Sequence, residues 1–383
     1  MQCLYWGALY YAFSVTLHPM SETFHVSETS IAGAFSTGLL VMAFAAPSVG
    51  RALDRGEGTQ LMRWGALLAV ATLVASTAIT SLIGVYLEWI ALGAAMAMVL
   101  YEPAFGLVQR AIDDPIERVR ALATVTVFGG LASTVCIPLI AWLVAQTGWR
   151  STHAALAATL LVGAAVMEQM VFPSLRERSY VRHAADVPLA SSPAPTIPIL
   201  VRLSFAGSTL AAMALSALLI AALIDRGHSP VAAANALALL GVMQLPGRLW
   251  MVSGRSGGSV PVLLAGPLIL LALGLLVIAC SHGLRGVGIG VAIFGIGAGW
   301  STLARPLVIH ALYGSTHAGR LNGSIARLQG FARAAGPLSA AAVYRVFGYS
   351  TLFAGLSIVL TVLAAGVLWT HRREKQQLLR SAS

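Results

Sequence analysis

Several charged side chains lie inside long apolar segments of this chain, where a charge is costly. A charge at the centre of a lipid bilayer costs about 2.5–3.5 kcal/mol on insertion scales, so such residues are functional candidates. A buried carboxyl group can carry a proton, and a guanidinium group can hold a carboxylate with two hydrogen bonds. The residues concerned are Glu88, Glu102, Glu168, Arg202, Arg305, Arg327 and Arg333. Without a nucleophile or metal-ligand motif beside them, they favour binding of protons and anions over covalent chemistry.

Glu102 and Arg305 have matching surroundings in the sequence. Each directly precedes a proline, Pro103 or Pro306, which removes a backbone hydrogen bond and favours a kink. We expect these opposite charges to be coupled to each other, as a gate or as a pair that responds to a bound ligand and to protons. A static structural ion pair is the alternative.

Other residues are further candidates for binding a ligand or protons. Arg333 is the deeper of two arginines in an apolar segment near the C-terminus, and pairing with a neighbouring helix is its alternative role. The remaining candidates are Tyr11, Tyr101 and Gln244. By contrast, Glu168 and Arg202 lie near segment ends, where long side chains reach water or pair with loops.

The elements that must position these groups are twelve apolar segments, each long enough to cross a bilayer. A hydrocarbon layer about 30 Å thick requires about 20 apolar residues in a helix. Strands of a membrane barrel would alternate polar and apolar residues, and these segments do not. We predict helices at 4–20, 31–49, 61–80, 82–108, 121–145, 154–172, 199–224, 231–250, 260–280, 287–312, 321–346 and 352–369. With 57% hydrophobic and 10% charged residues, the chain is predicted to be an all-α membrane protein with twelve transmembrane helices.

The basic residues predict how the helices are oriented, because cytoplasmic loops carry an excess of Lys and Arg. If the N-terminus is cytoplasmic, most basic loop residues fall on that side. The opposite side receives only Arg150, Arg226, Arg285 and Arg345. Both termini are then cytoplasmic, and we expect a multi-pass protein of the cell inner membrane. The net charge of +10 follows this topology and does not indicate a nucleic-acid partner.

A polar, proline-rich interval at 173–198 divides the chain into two halves of six helices each. The halves are 1–172 and 199–383, and the second ends in a short basic tail that we expect in the cytoplasm with the linker. Sequence positions also recur between them: Arg120 and Gly148 correspond to Arg320 and Gly348, each shifted by 200 residues. A parallel repeat of this kind is typical of transporters with a site between the halves.

The loop after the second segment carries the sharpest motif, Gly50-Arg51-Ala52-Leu53-Asp54-Arg55-Gly56. It resembles the G-x-L-x-D-R-x-G-R signature of the major facilitator superfamily. That resemblance covers the whole chain and implies the major facilitator fold, two pseudo-symmetric six-helix halves around a central cavity. Asp54 can cap a neighbouring helix N-terminus and pair with Arg, which would hold the cytoplasmic side closed. The gating candidates are Arg51, Asp54, Arg55 and Arg248.

Two further segments resemble the monocarboxylate-transporter-like branch of that superfamily. They are Tyr10-Tyr11-Ala12-Phe13-Ser14 in the first helix and Arg120-Ala121-Leu122-Ala123 before the fifth. This resemblance implies proton-coupled movement of small organic anions. Members of the branch commonly place a basic residue inside the eighth helix, where this chain has Gln244 in the middle and Arg248 at the end.

The function predicted from these observations is secondary active transport of a small organic anion, coupled to protons. A proton-driven exporter of hydrophobic compounds and a transporter-like sensor that moves no solute are the alternatives. No phosphate-binding loop is present, so transport driven by ATP is not indicated. Because the sequence also has no nucleophile elbow and no paired His and Glu metal motif, no enzyme activity and no cofactor are predicted. Three cysteines lie in apolar segments without paired spacing, so neither a disulfide nor a metal site is expected. The expected partners are the substrate, protons and lipid, with the protein acting as a monomer.

Overall fold

The computed structural model describes residues 1–173, 196–252, 259–314 and 317–381, and every regular element in these ranges is a helix. The linker predicted at 173–198 lies mostly outside them. Helix α1 comprises Gln2–Trp6, a π-helical turn at Gly7–Tyr11, and Ala12–Phe24. The next helices are α2 (Glu28–Asp54), α3 (Gly58–Ser76), α4 (Leu82–Val99 and Tyr101–Ala111), and α5 and α6, which share Pro115–Val171.

The second set of helices follows the same order. It consists of α7 (Ile199–Asp225), α8 (Pro230–Val242 and Gln244–Val252), α9 (Val260–Cys280), α10 (Leu284–Tyr313), and α11 and α12, which share Ala318–Ser381. Within the described ranges, eight helical stretches are long and apolar enough to cross a membrane. Two of these stretches hold two helices each, and α1 and α8 are the remaining two helices. All twelve predicted segments are therefore helical.

A glycine divides each shared stretch at the same place in the repeat. Gly148 (φ 77°, ψ 166°) separates α5 (115–147) from α6 (149–171). Gly348 (φ 77°, ψ 171°) separates α11 (318–347) from α12 (349–381). Only glycine adopts this backbone conformation readily, because any other residue would place a Cβ in a strained position. The matching breaks agree with the 200-residue offset predicted from the sequence.

Helix α4 is interrupted at Leu100, whose backbone is extended (φ −77°, ψ −152°). Pro103 follows in the first turn of the second segment and has no N–H to donate to the carbonyl of Val99. Gln2 of α1 replaces that donor: its Nε2 lies 2.9 Å from the carbonyl oxygen of Val99 and 3.4 Å from that of Leu100. The predicted proline-linked kink therefore occurs in α4, whereas α10 continues unbroken through Pro306.

The described residues form two compact units. The first contains 1–173 and 317–330, so the beginning of α11 packs with the N-terminal helices. Its core includes Leu9, Ile31, Leu73, Leu92, Met96 and Leu160. The second unit contains 196–252, 259–314 and 331–381. Buried side chains of this unit include Leu215, Leu219, Leu271, Phe294 and Phe353.

Candidate functional site

Asp54, the last residue of α2, caps the N-terminus of α11. Its Oδ1 accepts the backbone N–H of Gly319 at 2.7 Å, and its Oδ2 accepts that of Arg320 at 2.8 Å. Both donors lie in the first turn of α11, where N–H groups have no acceptor within the helix. A carboxylate is favourable at this position because a helix N-terminus carries partial positive charge. These two hydrogen bonds join α2 to α11, and we call them the α2–α11 latch.

The latch depends on close contact between the backbones of the two helices. Gly50 of α2 faces Gly319, and Ala46 faces Gly323 one turn further along α11. A Cβ atom at Gly319 would collide with the Gly50 carbonyl oxygen and crowd Asp54 Oδ1. Glycine at these positions therefore brings the Asp54 carboxylate within reach of the α11 backbone.

The two arginines that flank Asp54 contact residues of their own segment. Arg51 donates from Nη2 to Ser48 Oγ at 2.8 Å. Arg55 donates two hydrogen bonds, of 2.6 and 2.7 Å, to the Glu57 carboxylate. This pairing holds the pKa of Glu57 below its ordinary value. Both arginines are exposed, so their contacts shape the loop between α2 and α3 rather than a buried site.

Two arginines of the α4–α5 region donate hydrogen bonds to backbone carbonyl oxygens near the latch. Neither was among the site residues predicted from the sequence. Arg110, in the last turn of α4, donates from Nη2 to the backbone carbonyl of Asp54. Arg118 donates to the carbonyl oxygens of Ile112 at 2.9 Å and Asp113 at 2.8 Å. A basic residue in the last turn of a helix was the only sequence signal for Arg110. Arg110 therefore connects α4 to the residue that forms the latch.

A small cavity lies beside the latch and is lined by Glu102. The space open to the centre of a water molecule is about 10 Å³, which is enough for about one water. Gln109 of α4 and Asn322 of α11 also line it. Asn322 donates from Nδ2 to the Ala318 carbonyl at 2.8 Å, and its buried Oδ1 has no hydrogen-bond partner among the described residues. A carboxyl group and two amides thus meet directly next to the α2–α11 latch.

Tyr11 and Tyr101 belong to one aromatic group in the first unit. The Trp6 ring centroid lies 4.8 Å from that of Tyr101 and 6.2 Å from that of Tyr11. Tyr101 also stacks on Phe105 at 5.2 Å, and its hydroxyl donates to the Thr126 carbonyl at 3.3 Å. The structure thus brings two predicted residues together through Trp6, which was not predicted.

The basic candidates of the second unit lie on three helices. Arg305 is buried in α10, with 8% of its surface exposed. Arg248 is also buried, and its Nη2 donates to Gln244 Oε1 at 2.9 Å within α8. Arg333 is half-buried in α11. Glu102 and Arg305 belong to different units, and their coupling stays a prediction.

Glu168 is paired with a basic residue, which belongs to another helix rather than to a loop. Arg63 of α3 donates from Nε at 2.8 Å and from Nη2 at 2.6 Å to its two carboxyl oxygens. The pair links α3 to the end of α6 and accounts for one charge that lies inside an apolar segment. The interpretation of Glu168 as a pairing residue therefore has a specific partner in the structure.

Comparison with known proteins gives a family and a fold. A family model described as Major Facilitator Superfamily matches residues 3–257, while the search among curated proteins finds no match. The solved structure of the human organic anion transporter MFSD10 (TETRAN) is 17% identical, with a TM-score of 0.71 over 96% of this chain and 97% of that one.

Two solved sugar transporters are similar in fold as well. The proton:xylose symporter XylE is 12% identical, with a TM-score of 0.73 over 96% of this chain and 93% of that one. The E. coli fucose:proton symporter FucP is 14% identical, with a TM-score of 0.65 over 95% of this chain and 96% of that one. These similarities confirm the predicted fold of twelve transmembrane helices in two pseudo-symmetric halves.

Proposed function

Because the chain belongs to the major facilitator superfamily, we propose that it transports a small organic anion across the inner membrane together with protons. It is a membrane transporter and not an enzyme, so the proposal concerns the substrate, the coupling ion and the gate. The observation that carries the substrate proposal is the burial of Arg305 within the apolar helix α10.

A substrate with a carboxylate fits the charges of the second unit. Arg305 and Arg248 are buried and Arg333 is half-buried, so three guanidinium groups lie within helices α8, α10 and α11. A guanidinium group binds a carboxylate through two parallel hydrogen bonds and is less strongly hydrated than an ammonium group. The name of the human organic anion transporter, a neighbour in fold, is consistent with this substrate class.

Proton coupling is proposed through Glu102. This carboxyl group lines the cavity that is also lined by Gly319, whose N–H donates to Asp54, so gain of a proton at Glu102 changes the charge of that cavity. A change of charge at Glu102 therefore alters the electrostatic environment of the latch. Two neighbours in fold, XylE and FucP, carry the name of proton symporters, which agrees with this coupling.

The latch supplies the gate in this proposal. Transporters built from two helical halves expose their site to each side in turn by rocking. Because Asp54 ties α2 to the first turn of α11, those hydrogen bonds must break whenever the two helices separate. The excess of basic residues in the loops on one side supports a cytoplasmic position for the latch and for both termini in this proposal. The working unit is proposed to be the monomer.

Export of hydrophobic compounds is the second candidate, and the aromatic group around Trp6 favours it. Trp6, Tyr11, Tyr101 and Phe105 form a continuous set of ring contacts in the first unit. Such a surface binds flat apolar molecules through stacking without requiring a charge. Under this alternative the buried arginines take part in gating and do not bind the transported compound.

Uptake into proteoliposomes distinguishes these functions. We expect accumulation of one or more carboxylates that is stimulated by an imposed proton gradient, with no accumulation of xylose, fucose or hydrophobic dyes. Arg305→Gln is expected to abolish accumulation, while Arg327→Gln, at an exposed position of α11, serves as the matched control. Transport of hydrophobic dyes alone would support the exporter. Carboxylate uptake that does not depend on the proton gradient would overturn the proposed proton coupling. Uptake that is unchanged in Arg305→Gln would overturn the proposed role of Arg305 in substrate binding.

A further inference from the structure

A second polar cluster lies in the first unit, away from the latch, where α3, α4 and α6 meet. Nδ1 of His153 is 2.8 Å from Ser76 Oγ and 3.4 Å from Glu88 Oε1. The side chain of Glu88 is 0% exposed and that of His153 is 4% exposed. Neither carboxyl oxygen of Glu88 has a hydrogen-bond partner among the residues that the structure describes.

The hydrogen bonds of Ser76 settle where one proton of the cluster resides. Ser76 Oγ donates its only hydrogen to the backbone carbonyl of Leu73 at 2.8 Å. In the contact with His153 the hydroxyl oxygen must therefore accept, so Nδ1 of the imidazole is the donor. The other ring nitrogen, Nε2, is then the position at which the ring gains or loses a proton.

This arrangement does not fit nucleophilic catalysis. A catalytic triad uses both ring nitrogens, one facing the serine and the other facing the carboxylate. Here Ser76 and Glu88 both approach Nδ1, and the serine hydrogen is already donated to Leu73. The cluster is therefore not the active site of a hydrolase.

The charges of the cluster favour binding of a proton. A buried carboxylate without hydrogen-bond donors is strongly destabilised, and an ion of opposite charge nearby offsets that cost only partly. If His153 is neutral, the ionised Glu88 leaves the cluster with one net negative charge. A proton that binds at Nε2 creates an imidazolium next to the carboxylate and makes the cluster neutral. No other bond forms or breaks in this step.

We propose that Glu88 and His153 form a proton-binding site separate from the cavity of Glu102. Ser76 orients the imidazole, and Glu88 supplies the charge that retains the proton. Ser76 ends α3, Glu88 lies two turns into α4, and His153 lies in the first turns of α6, so the site is close to the helix ends opposite the latch. Protons exchange with the aqueous phase on that side. The site goes beyond the proposed function, because it needs no substrate.

Few other ionisable groups face the cluster. Helix α3 contributes none between Arg63 and Ser76. Helix α4 contributes Tyr86, whose hydroxyl lies against Gly33. Helix α6 contributes Arg150, which donates to the Ile79 carbonyl at 2.8 Å and stacks over Trp149.

At the same end of the unit there are two exposed histidines, His18 within α1 and His25 directly after it. His18 contacts Glu28 at 2.9 Å and Glu22 at 3.4 Å, and 69% of its side chain is exposed. It is the matched control, because it is also a histidine paired with glutamate but is open to water.

The test uses the fluorescence of Trp149, whose ring contacts that of His153 with centroids 5.4 Å apart. An imidazolium quenches a neighbouring indole, so purified protein in detergent is titrated between pH 5 and pH 9. We expect a reversible decrease in fluorescence as the pH falls. The decrease should be absent in His153→Gln and in Trp149→Phe, and it should persist in His18→Gln.

Glu88→Gln tests the role of the carboxylate. Removal of an opposite charge within about 4–6 Å disfavours an imidazolium, so the midpoint of the decrease should move to lower pH by about one unit or more. Thermal unfolding checks that each variant is folded, and Trp149→Phe keeps the test valid if His153→Gln does not fold. A parent protein without a fluorescence step, or a step that survives Trp149→Phe unchanged, would overturn the proposal. The proposed transport function is unaffected by either result.

Discussion

Replacing Asp54 by asparagine removes the charge of the latch while keeping the size of the side chain. The carboxylate accepts two backbone hydrogen bonds, at 2.7 and 2.8 Å, and asparagine has a single side-chain oxygen to accept one. Hydrogen bonds to charged groups contribute about 1.5–3 kcal/mol each and neutral ones about 0.5–1.5 kcal/mol. Asp54 is only half-buried, so we discount the difference for solvent and expect a loss of about 1–2 kcal/mol. That corresponds to a factor of about 5–30 in the equilibrium between closed and open α2–α11 contact.

Reactivity of a buried cysteine measures this equilibrium directly. Gln109 lines the cavity beside the latch and is 3% exposed, so a cysteine there reacts with a water-soluble thiol reagent only when α2 and α11 separate. The native cysteines Cys3, Cys136 and Cys280 are first replaced by alanine. In this background we expect Asp54→Asn to accelerate labelling of Gln109→Cys by about 5–30-fold. Transport should slow, while substrate affinity stays within a few-fold of the parent.

Glu57→Gln is the matched control for the removed charge. Glu57 lies three residues from Asp54, is exposed, and pairs with Arg55 rather than with α11. Labelling of Gln109→Cys should therefore proceed at the parent rate in this variant. If Asp54→Asn also labels and transports like the parent, the carboxylate is not a latch and the reasoning is refuted.

Three further predictions concern the coupled charges and the glycines. Glu102→Gln and Arg305→Gln should each impair transport in uptake assays. Breaking an ion pair costs about 3–5 kcal/mol where the remaining charge is buried, as Arg305 is, and less where it is half-buried, as Glu102 is. The double variant should be milder than the sum of the two single variants. The pH dependence of transport should also disappear in Glu102→Gln, and parent-like uptake by all three variants would contradict the pair. Gly319→Ala should accelerate cysteine labelling in the latch cavity, whereas Gly355→Ala, where a Cβ has no neighbour within 4 Å, should not. Gly148→Ala should lower the stability measured by thermal unfolding by about 1–3 kcal/mol, because alanine is strained in this backbone conformation. Gly348→Ala, at the equivalent position of the second half, should lower it by the same amount.

The helices were predictable because lipid leaves few alternatives to a backbone that satisfies its own hydrogen bonds. Val260–Cys280 has the predicted bounds, since it is apolar throughout. The end of α3 was less predictable: the apolar pattern continues to residue 80, but the helix ends at Ser76. Ile79 lies past that end, and its carbonyl accepts a hydrogen bond from Arg150 of α6. A partner 71 residues away in the sequence leaves no signal in the local pattern.

The candidate site was predictable only in part, for a related reason. The type and position of Asp54 indicated a helix cap, but the motif did not identify Gly319 as its donor. Asn322 and His153 gave no signal at all, because their importance depends on which helix faces meet. Their roles follow from an unpartnered oxygen and from a buried carboxylate, which only a three-dimensional arrangement reveals.

The two sides of the latch differ in how easily mutation can destroy them. Asp54 contributes a side chain, so almost any substitution there removes the acceptor. The α11 side contributes main-chain N–H groups, which every amino acid except proline provides. The residue at position 320 can therefore be replaced by any amino acid except proline without loss of the donor. Few replacements at position 54 keep the acceptor. A survey of random variants should find the two partners of one contact under very different selection, with proline as the single replacement at 320 that removes the hydrogen bond to Asp54 Oδ2.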